Sequence, residues 1–478
     1  MITLFNNERF VWRITFFLIL LVGLFTRMFM LGAFSHPVFD EVYYATFTAQ
    51  YISGTAFIDA HPPIARFIFF VLGILGGADG SEQFIAPDIP FADFPYLFLR
   101  FGSALAGVFL IGALMLFARE VTGSYRVGIL AGFLALFDNF LLVQSRYILA
   151  EPFLLLFGVL GLWAFYRKNR EPLQGRQWYL WFFFSSSMLG LAIGVKASAA
   201  VFLILPWFVF YLYDRRPRYR FLIALFFLFL IPFSVVFVST YAHFALLNPE
   251  GPVLHAFYNP DDPGGNSIPF FVALRAKHLP ERYGPHWGLF LQRFAETSVT
   301  TVIAGGSHLD RAFGFHDAAS PWYSWMFMEK PILFVHEGGE GISETVTLIG
   351  NPVVWWGGLF ALFAVFVRRV DRKQFVFLDM MILGFVFNLF LASLPTRELF
   401  IYLYLPSLIF LIVISATALE YLSSIRSRVA LSLMILVVFG FLWFSPVSYG
   451  FPLSHKQVRS ILWFDSWSPI QVVDDLTK

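Results

Sequence analysis

Two adjacent acids, Asp40 and Glu41, lead the stretch FDEVYYATFTAQYISGTAFIDAHPPIAR, and Asp59, His61 and a Pro pair follow within it. Side chains of these types accept a proton or hold a cation. Their grouping directly after a long apolar run reads as an assembled site more than as a connector. Successive helical residues point about 100° apart, so the two acids cannot serve one atom and need separate roles. A plainer account stays open for each piece. Asp40-Glu41 after His36-Pro37 would also begin a helix, because Pro suits a first turn and acids there complement the dipole. Asp59-Ala60-His61-Pro62-Pro63 would also be a turn into an interfacial helix from Ile64 to Leu75. A zinc site from His36, His61 and a carboxylate has the right atoms but irregular spacing, so no metal is expected.

Cations form the second group. Arg100, Arg146, Lys196 and Arg397 fall where the charge pattern puts outward-facing helix tips or the outer start of a span. Each alone reads as an interfacial side chain snorkelling to water. Together, on the face that carries Asp40 and Glu41, they would make a site for an anionic group such as a lipid phosphate. Internal pairing is the rival, since Glu151 and Glu398 could neutralise Arg146 and Arg397.

The elements that must position these residues are membrane helices. Of 478 residues, 58% are hydrophobic and 13% charged, and apolar runs of about 18 or more recur, which places the chain in a bilayer. The first run, from about Phe10 to Leu31, is too long for a signal-peptide core and lacks a small-residue cleavage site, so it is expected to be retained. Arg and Lys cluster at Arg9 and Arg13, Arg119 and Arg126, Arg167 to Arg176, Arg215 to Arg220, Arg368 to Lys373, and Arg426 and Arg428. The positive-inside rule makes these cytoplasmic. Arg126 to Arg167 is about 40 residues, roughly 60 Å as one helix, about twice the hydrocarbon thickness, so it must go out and return. Arg176 to Arg215 and Lys373 to Arg426 are expected to do the same. Single spans at Arg220 to Tyr241, Pro352 to Val367 and Leu431 to Phe444 bring the total to about eleven, with the N-terminus inside and the C-terminus outside.

The expected fold is therefore an all-α polytopic membrane protein with external interfacial loops. Residues 1–241 form an N-terminal transmembrane module with an external catalytic loop at 33–95. Residues 242–350 form an external region with short amphipathic helices on the bilayer, and residues 351–478 a C-terminal transmembrane module with an external tail. Within the middle region, HDAASPWYSW carries His316, Ser320, Trp322 and Trp325, which read either as an interfacial aromatic belt or as a surface closing over substrate. The absence of cysteine excludes disulfides, thiolate metal sites and cysteine nucleophiles. A net charge of +2 argues neither for nor against nucleic acid.

Along nearly its whole length the chain resembles the protein O-mannosyltransferase family, a branch of the C-type polytopic (GT-C) glycosyltransferases. FDEVYYATFTAQYI and DAHPPI are similar to its acidic first-loop and DxHPP motifs, and PYLFLRFGSALAG to its second-span Arg motif. LFDNFLLVQSRYILAE, GLAIGVKAS, HDAASPWYSW, GNPVVWW and RELFIYLYLP follow in the family's order. Glu151 stands where the family usually has Asp, Asp317-Ala318 replaces Pro-Tyr, Met326 replaces Pro, and Leu403 replaces the His of Y-H-Y-L-P. Nothing resembles the MIR domains of eukaryotic members, which makes the chain similar to bacterial and archaeal forms.

The resemblance implies an enzyme that moves a sugar, mannose by preference, from a polyprenyl-phosphate donor to a Ser or Thr hydroxyl of a secreted or membrane protein. Transfer would occur at the outer face of the cytoplasmic membrane, with inversion and without cofactor, metal or nucleic acid. A hydroxyl is a poor nucleophile, so a carboxylate must take its proton as the C–O bond forms, and Asp40 is the expected base. Arg100, Lys196 and Arg397, with Arg146 as a weaker member, would hold the departing phosphate. Glu41 would orient the sugar or hold one of those cations. Asp59, His61, His316 and Trp325 would support the loop or the acceptor. Two other readings remain: a transferase with a lipid or glycan acceptor, against which HPP replaces the expected KPP, and a transporter, against which the charges sit at one face and no repeat is evident.

Overall fold

Apolar stretches bounded by basic clusters become helices, because a backbone in lipid has to satisfy its own hydrogen bonds. The computed structural model describes residues 8–59, 61–82, 84, 89–212, 219–247, 253–255, 290–291, 294–295, 298, 318–339, 341–368, 372–395 and 398–467. The chain opens with α1 (Glu8–Met28). Its first loop contains α2 (Glu41–Ser53), β1 (Ala56–Ile58) and α3 (Ile64–Gly76). There follow α4 (Tyr96–Thr122), α5 (Tyr125–Leu136), the short α6 (Asn139–Gln144), α7 (Glu151–Arg167), α8 (Arg176–Val195), α9 (Ala200–Leu212) and α10 (Arg220–Leu246). Beyond β2 (Val253–His255) come β3 (Ile332–Gly339) and β4 (Ile342–Leu348). The last elements are α11 (Pro352–Arg368), α12 (Arg372–Ser393), α13 (Leu405–Ile425), α14 (Ser427–Tyr449), β5 (Pro452–Ser454) and α15 (His455–Ile461).

Helices α1, α4, α5 and α7 to α14 stand at the positions expected for spans. Six helical stretches among the described residues are long and apolar enough to cross a bilayer: α1, α4, α8, α10, Ile401–Ile425 and α14. The chain is a multi-pass membrane protein of mainly helical architecture. Its last long helix exceeds the expected Leu431 to Phe444, running through Pro446 to a left-handed Gly450 at φ 76°. A helix does follow the Pro pair, α3.

The two ends of the bundle differ as the charge pattern requires. At one end, Gly123 (φ 72°) turns α4 into α5, and Ser124 caps α5 by accepting from Val127 N–H at 3.3 Å. There Arg170 pairs with Glu120, and Arg119 lies over the rings of Trp12 and Tyr125. The first loop, α6, and the turns before α7, α9 and α13 gather at the other end.

In the middle region the described residues among 290–298 are helical, whereas 332–348 is not. Strands β3 and β4 form an antiparallel hairpin, and β5 joins β4. Two β-branched, alternating runs flank Gly338-Gly339-Glu340-Gly341, which is a hairpin signature that outweighs helical amphipathicity. Helix α13 packs against α5, α11 and α12 and is buried along most of its length, so the N-terminal and C-terminal modules share one apolar core.

Candidate active site

Helix α2 begins at the acids because Asp40 takes its N-cap position, and it stops at Gly54 (φ 72°). Asp40 makes no side-chain cap bond, so its carboxylate is not spent on its own helix. It is half-buried. Burial pushes its carboxyl up to about 7, Lys196 pulls in the opposite direction, and Glu151 and Asp59 add to the rise. A carboxyl held there is matched to proton transfer near neutral pH.

Glu41 is fully buried and holds Arg100, also fully buried, by two charge-assisted bonds: Nε to Oε1 at 2.8 Å and Nη2 to Oε2 at 2.6 Å. It also accepts from the backbone N–H of Val38 at 2.8 Å and of Ile148 at 2.7 Å. The other Arg100 donors go to the carbonyls of Leu31 (3.1 Å), Phe34 (2.7 Å) and His36 (3.2 Å). All five guanidinium N–H groups are thereby used, which leaves none for a donor phosphate. Of the two roles expected for Glu41, this geometry provides the holding of a cation.

Arg146 is turned the same way. Its Nη1 donates to the carbonyls of Arg27 (3.3 Å) and Phe29, its Nη2 to that of Met30 (2.9 Å), and its guanidinium lies 4.5 Å from the Tyr449 ring centroid. Arg100 on α4 and Arg146 in the turn after α6 therefore pin the end of α1 and the first loop, from residue 27 to 36. Both guanidinium groups are oriented toward backbone carbonyls of the first loop and the end of α1.

Lys196 sits at the C-cap of α8, where its Nζ meets Glu151 Oε1 at 2.5 Å and lies 5.2 Å from the ring centroid of Tyr402. Glu151 therefore neutralises Lys196 and not Arg146. A small pocket beside this pair is lined by Glu151, Leu154, Ser198, Tyr402, Leu403 and Pro406. Leu403 thus faces the same space where the resemblance expected a histidine.

Asp59 and His61 meet Arg66, which no sequence motif singles out. Arg66, on the first turn of α3, reaches back to Asp59 Oδ2 at 3.4 Å and donates to the His61 carbonyl at 2.5 Å. Its guanidinium lies against the stacked rings of Phe47 and Phe57, 5.5 and 5.4 Å from their centroids. The available signal was spacing, since Arg66 closes the DAHPPIAR run within one helical turn of the Pro pair. His36 Nε2 lies 2.6 Å from Glu337 Oε1 on β3. Among the described residues, no three His, Asp or Glu side chains come together as a metal-holding group.

Trp325 is fully buried and donates to Ser320 Oγ at 3.0 Å, while Ser320 N–H donates to the Leu399 carbonyl at 2.9 Å. The Ser320–Trp325 turn is in this way tied to the segment that contains Glu398. His316 and Arg397 lie outside the described residues. The structure thus brings Asp59, Glu151 and Lys196 within electrostatic reach of Asp40, next to which in sequence Glu41 holds the buried Arg100.

The GNPVVWW motif serves a different purpose. Asp138 caps α6 through Leu141 N–H (3.0 Å), and its other oxygen accepts from Asn351 N–H (3.2 Å) and Trp355 Nε1 (3.0 Å). Asn351 Nδ2 donates to the carbonyls of Phe137 and Val437, both at 2.8 Å.

Two family models match in tandem. Residues 17–248 match the dolichyl-phosphate-mannose-protein mannosyltransferase model, and residues 290–467 the C-terminal four-transmembrane region of protein O-mannosyltransferases. The chain belongs to the protein O-mannosyltransferase family. Protein O-mannosyltransferase 1 of Drosophila melanogaster is 30% identical over 239 residues, 48% of this chain and 27% of the fly protein. Dolichyl-phosphate-mannose–protein mannosyltransferase 3 of Saccharomyces cerevisiae is 28% identical over 247 residues, 48% of this chain and 32% of the yeast protein. The chain spans about a third or less of these relatives' length. In fold, it is similar to the S. cerevisiae protein O-mannosyltransferase Pmt1-Pmt2 complex bound to the sugar donor, with a TM-score of 0.78 and 17% identity over 97% of this chain and 94% of that one. ArnT from Cupriavidus metallidurans bound to undecaprenyl phosphate follows at a TM-score of 0.52 and 18% identity, over 91% of this chain and 65% of that one. The architecture of this O-mannosyltransferase family member is accordingly the GT-C fold.

Proposed function

We propose that this chain transfers a sugar, mannose by preference, from a polyprenyl phosphate to a Ser or Thr hydroxyl of a membrane or secreted protein. Transfer takes place at the outer face of the cytoplasmic membrane, with the N-terminus inside. The observation that carries the reading is a half-buried carboxylate, Asp40, tuned close to neutral and within electrostatic reach of the Lys196 ammonium, in a family whose model is named for mannosyl transfer from a dolichyl phosphate.

The chemistry follows from the parts. Asp40 takes the proton of the acceptor hydroxyl as its oxygen attacks the anomeric carbon from the face opposite the phosphate, and that single displacement inverts the centre. Negative charge then builds on the departing lipid phosphate, where Lys196 stabilises it, together with Arg397 of the RELFIYLYLP motif. Glu151 holds Lys196 in place until the phosphate competes for its ammonium. Glu41, Arg100 and Arg146 fix the first loop, so that Asp40 does not have to be ordered during the reaction. Asp59 and His61 set the turn through Arg66, while His316 and Trp325 belong to the acceptor side. No cofactor, metal or nucleic acid is called for.

Purified protein in lipid nanodiscs would be incubated with several polyprenyl-phosphate sugars and a Ser/Thr-rich peptide, and the peptide mass read. A hexose increment from the mannose donor, with the free polyprenyl phosphate as co-product, is expected. Transfer to a lipid or glycan in the same extract with the peptide untouched would replace the protein acceptor. Absence of turnover with every donor would reject the enzymatic reading.

A further inference from the structure

The first loop is pinned on one side of Asp40 by the carbonyl contacts of Arg100 and on the other by Glu41, which accepts from Val38 N–H across the turn. Between these anchors stands Phe39, a bulky residue held at φ 52°. A side chain with a Cβ is disfavoured there, so something outside the loop has to hold it. The neighbour in place is Phe334 on β3, whose ring stacks on Phe39 at a centroid distance of 4.6 Å and an interplanar angle of 11°.

Several observations make this contact a built one. The pairing of β3 with β4 slips between Leu333 and Val335, so Phe334 is the bulged residue, and a bulge re-aims a side chain. Phe334 is buried, with Tyr147 against its other side at 5.7 Å and 67°. Tyr402, which meets the Lys196 ammonium, touches Phe39 edge-on at 6.4 Å. Three residues beyond Phe334, the edge of β3 reaches the loop again through Glu337 and His36.

We propose that Phe334 is a positioning residue for Asp40: by stacking on Phe39 it holds the left-handed turn that aims the neighbouring carboxylate into the site and shields it from water. Phe334, 294 residues after Asp40 in the chain, makes the hairpin in this way part of the catalytic apparatus without touching substrate. The proposal rests on the reading of Asp40 as the base.

The test uses the full-length protein in nanodiscs with three variants: Phe334→Leu, which keeps apolar volume and removes the ring, Phe334→Tyr, which keeps the ring, and Asp40→Asn. The groups facing Asp40 are Lys196, Glu151 and Asp59, with Tyr43 and Tyr44 on its own helix and the His36–Glu337 pair behind the hairpin contact; all are unchanged in the Phe334 variants. With Phe334→Leu, kcat is expected to fall about three- to ten-fold, the size of a lost aromatic stack, with the donor KM within about two-fold of wild type. Water reaching Asp40 would also move the acid limb of the pH–rate profile down by about half a unit or more. Phe334→Tyr should restore both. Should the Leu variant fail to fold, Phe334→Met takes its place, since an unbranched side chain adapts to irregular space.

Equal kcat and an unmoved acid limb in the Leu and Tyr variants, with Asp40→Asn inactive, would overturn the positioning role while leaving the base in place. An active Asp40→Asn would instead remove the base itself, and the proposal with it.

Discussion

Glu41 and Arg100 meet as a two-bond pair with neither side chain exposed to solvent. Such a pair is expensive to break from one side, because the remaining partner is left as an uncompensated buried charge. Arg100→Met or Glu41→Leu should therefore lower stability by about 3–5 kcal/mol, read as melting temperature in detergent and as yield of folded protein. Arg100→Lys should not rescue, since an ammonium cannot reproduce the five-donor fork. Full stability in Arg100→Met with donor affinity lost would return Arg100 to the phosphate.

Asp40→Asn should reduce turnover by about 10²–10⁴-fold, the usual worth of a positioned base, while lipid-donor binding survives. Lost binding with normal residual chemistry would refute the assignment.

The same residue makes a two-sided pH prediction. As a base it works when deprotonated, so kcat/KM should rise with pH up to about 7, where burial has placed it, and level off above. For stability the sign reverses: a carboxyl whose folded value is raised favours the protonated folded state, so stability should fall as pH climbs from about 4 to about 7. Asp40→Asn should accordingly melt higher than wild type at pH 8 and no higher at pH 4, measured by scanning fluorimetry. Identical differences at both pH values would contradict a buried, ionising Asp40.

Lys196→Ala should raise the donor KM by about ten-fold or more, because a charge-assisted contact to phosphate is worth roughly 1.5–3 kcal/mol. Glu151→Gln, which keeps the shape and removes the competing charge, should leave donor affinity equal or better. A matching loss in both variants would mean that the pair is purely structural.

Much of the architecture could be read from charge and length, since the spacing of Arg and Lys clusters against bilayer thickness left room for few other arrangements. The acids also announced themselves, because ionised groups beside an apolar run need a reason. What stayed hidden was the direction in which long cations turn. Arg100 and Arg146 look alike as free charges in a string of letters, and their carbonyl partners exist only after the first loop has folded over them. The β3–β4 hairpin was legible in principle, through β-branched runs around a glycine-rich turn, but the same apolar spacing also fits an amphipathic helix at an interface. Arg66 was hidden by its ordinary setting, an arginine in the first turn of an apolar helix.

Asp138 reaches across the chain to Asn351 and Trp355, and so fastens together the two stretches that the family models describe separately. Neither stretch is a portable module. A chimera that borrowed its second half from a distant cousin would inherit a foreign socket for this one carboxylate, and grafts should survive only where the asparagine and the indole travel with the transplanted piece.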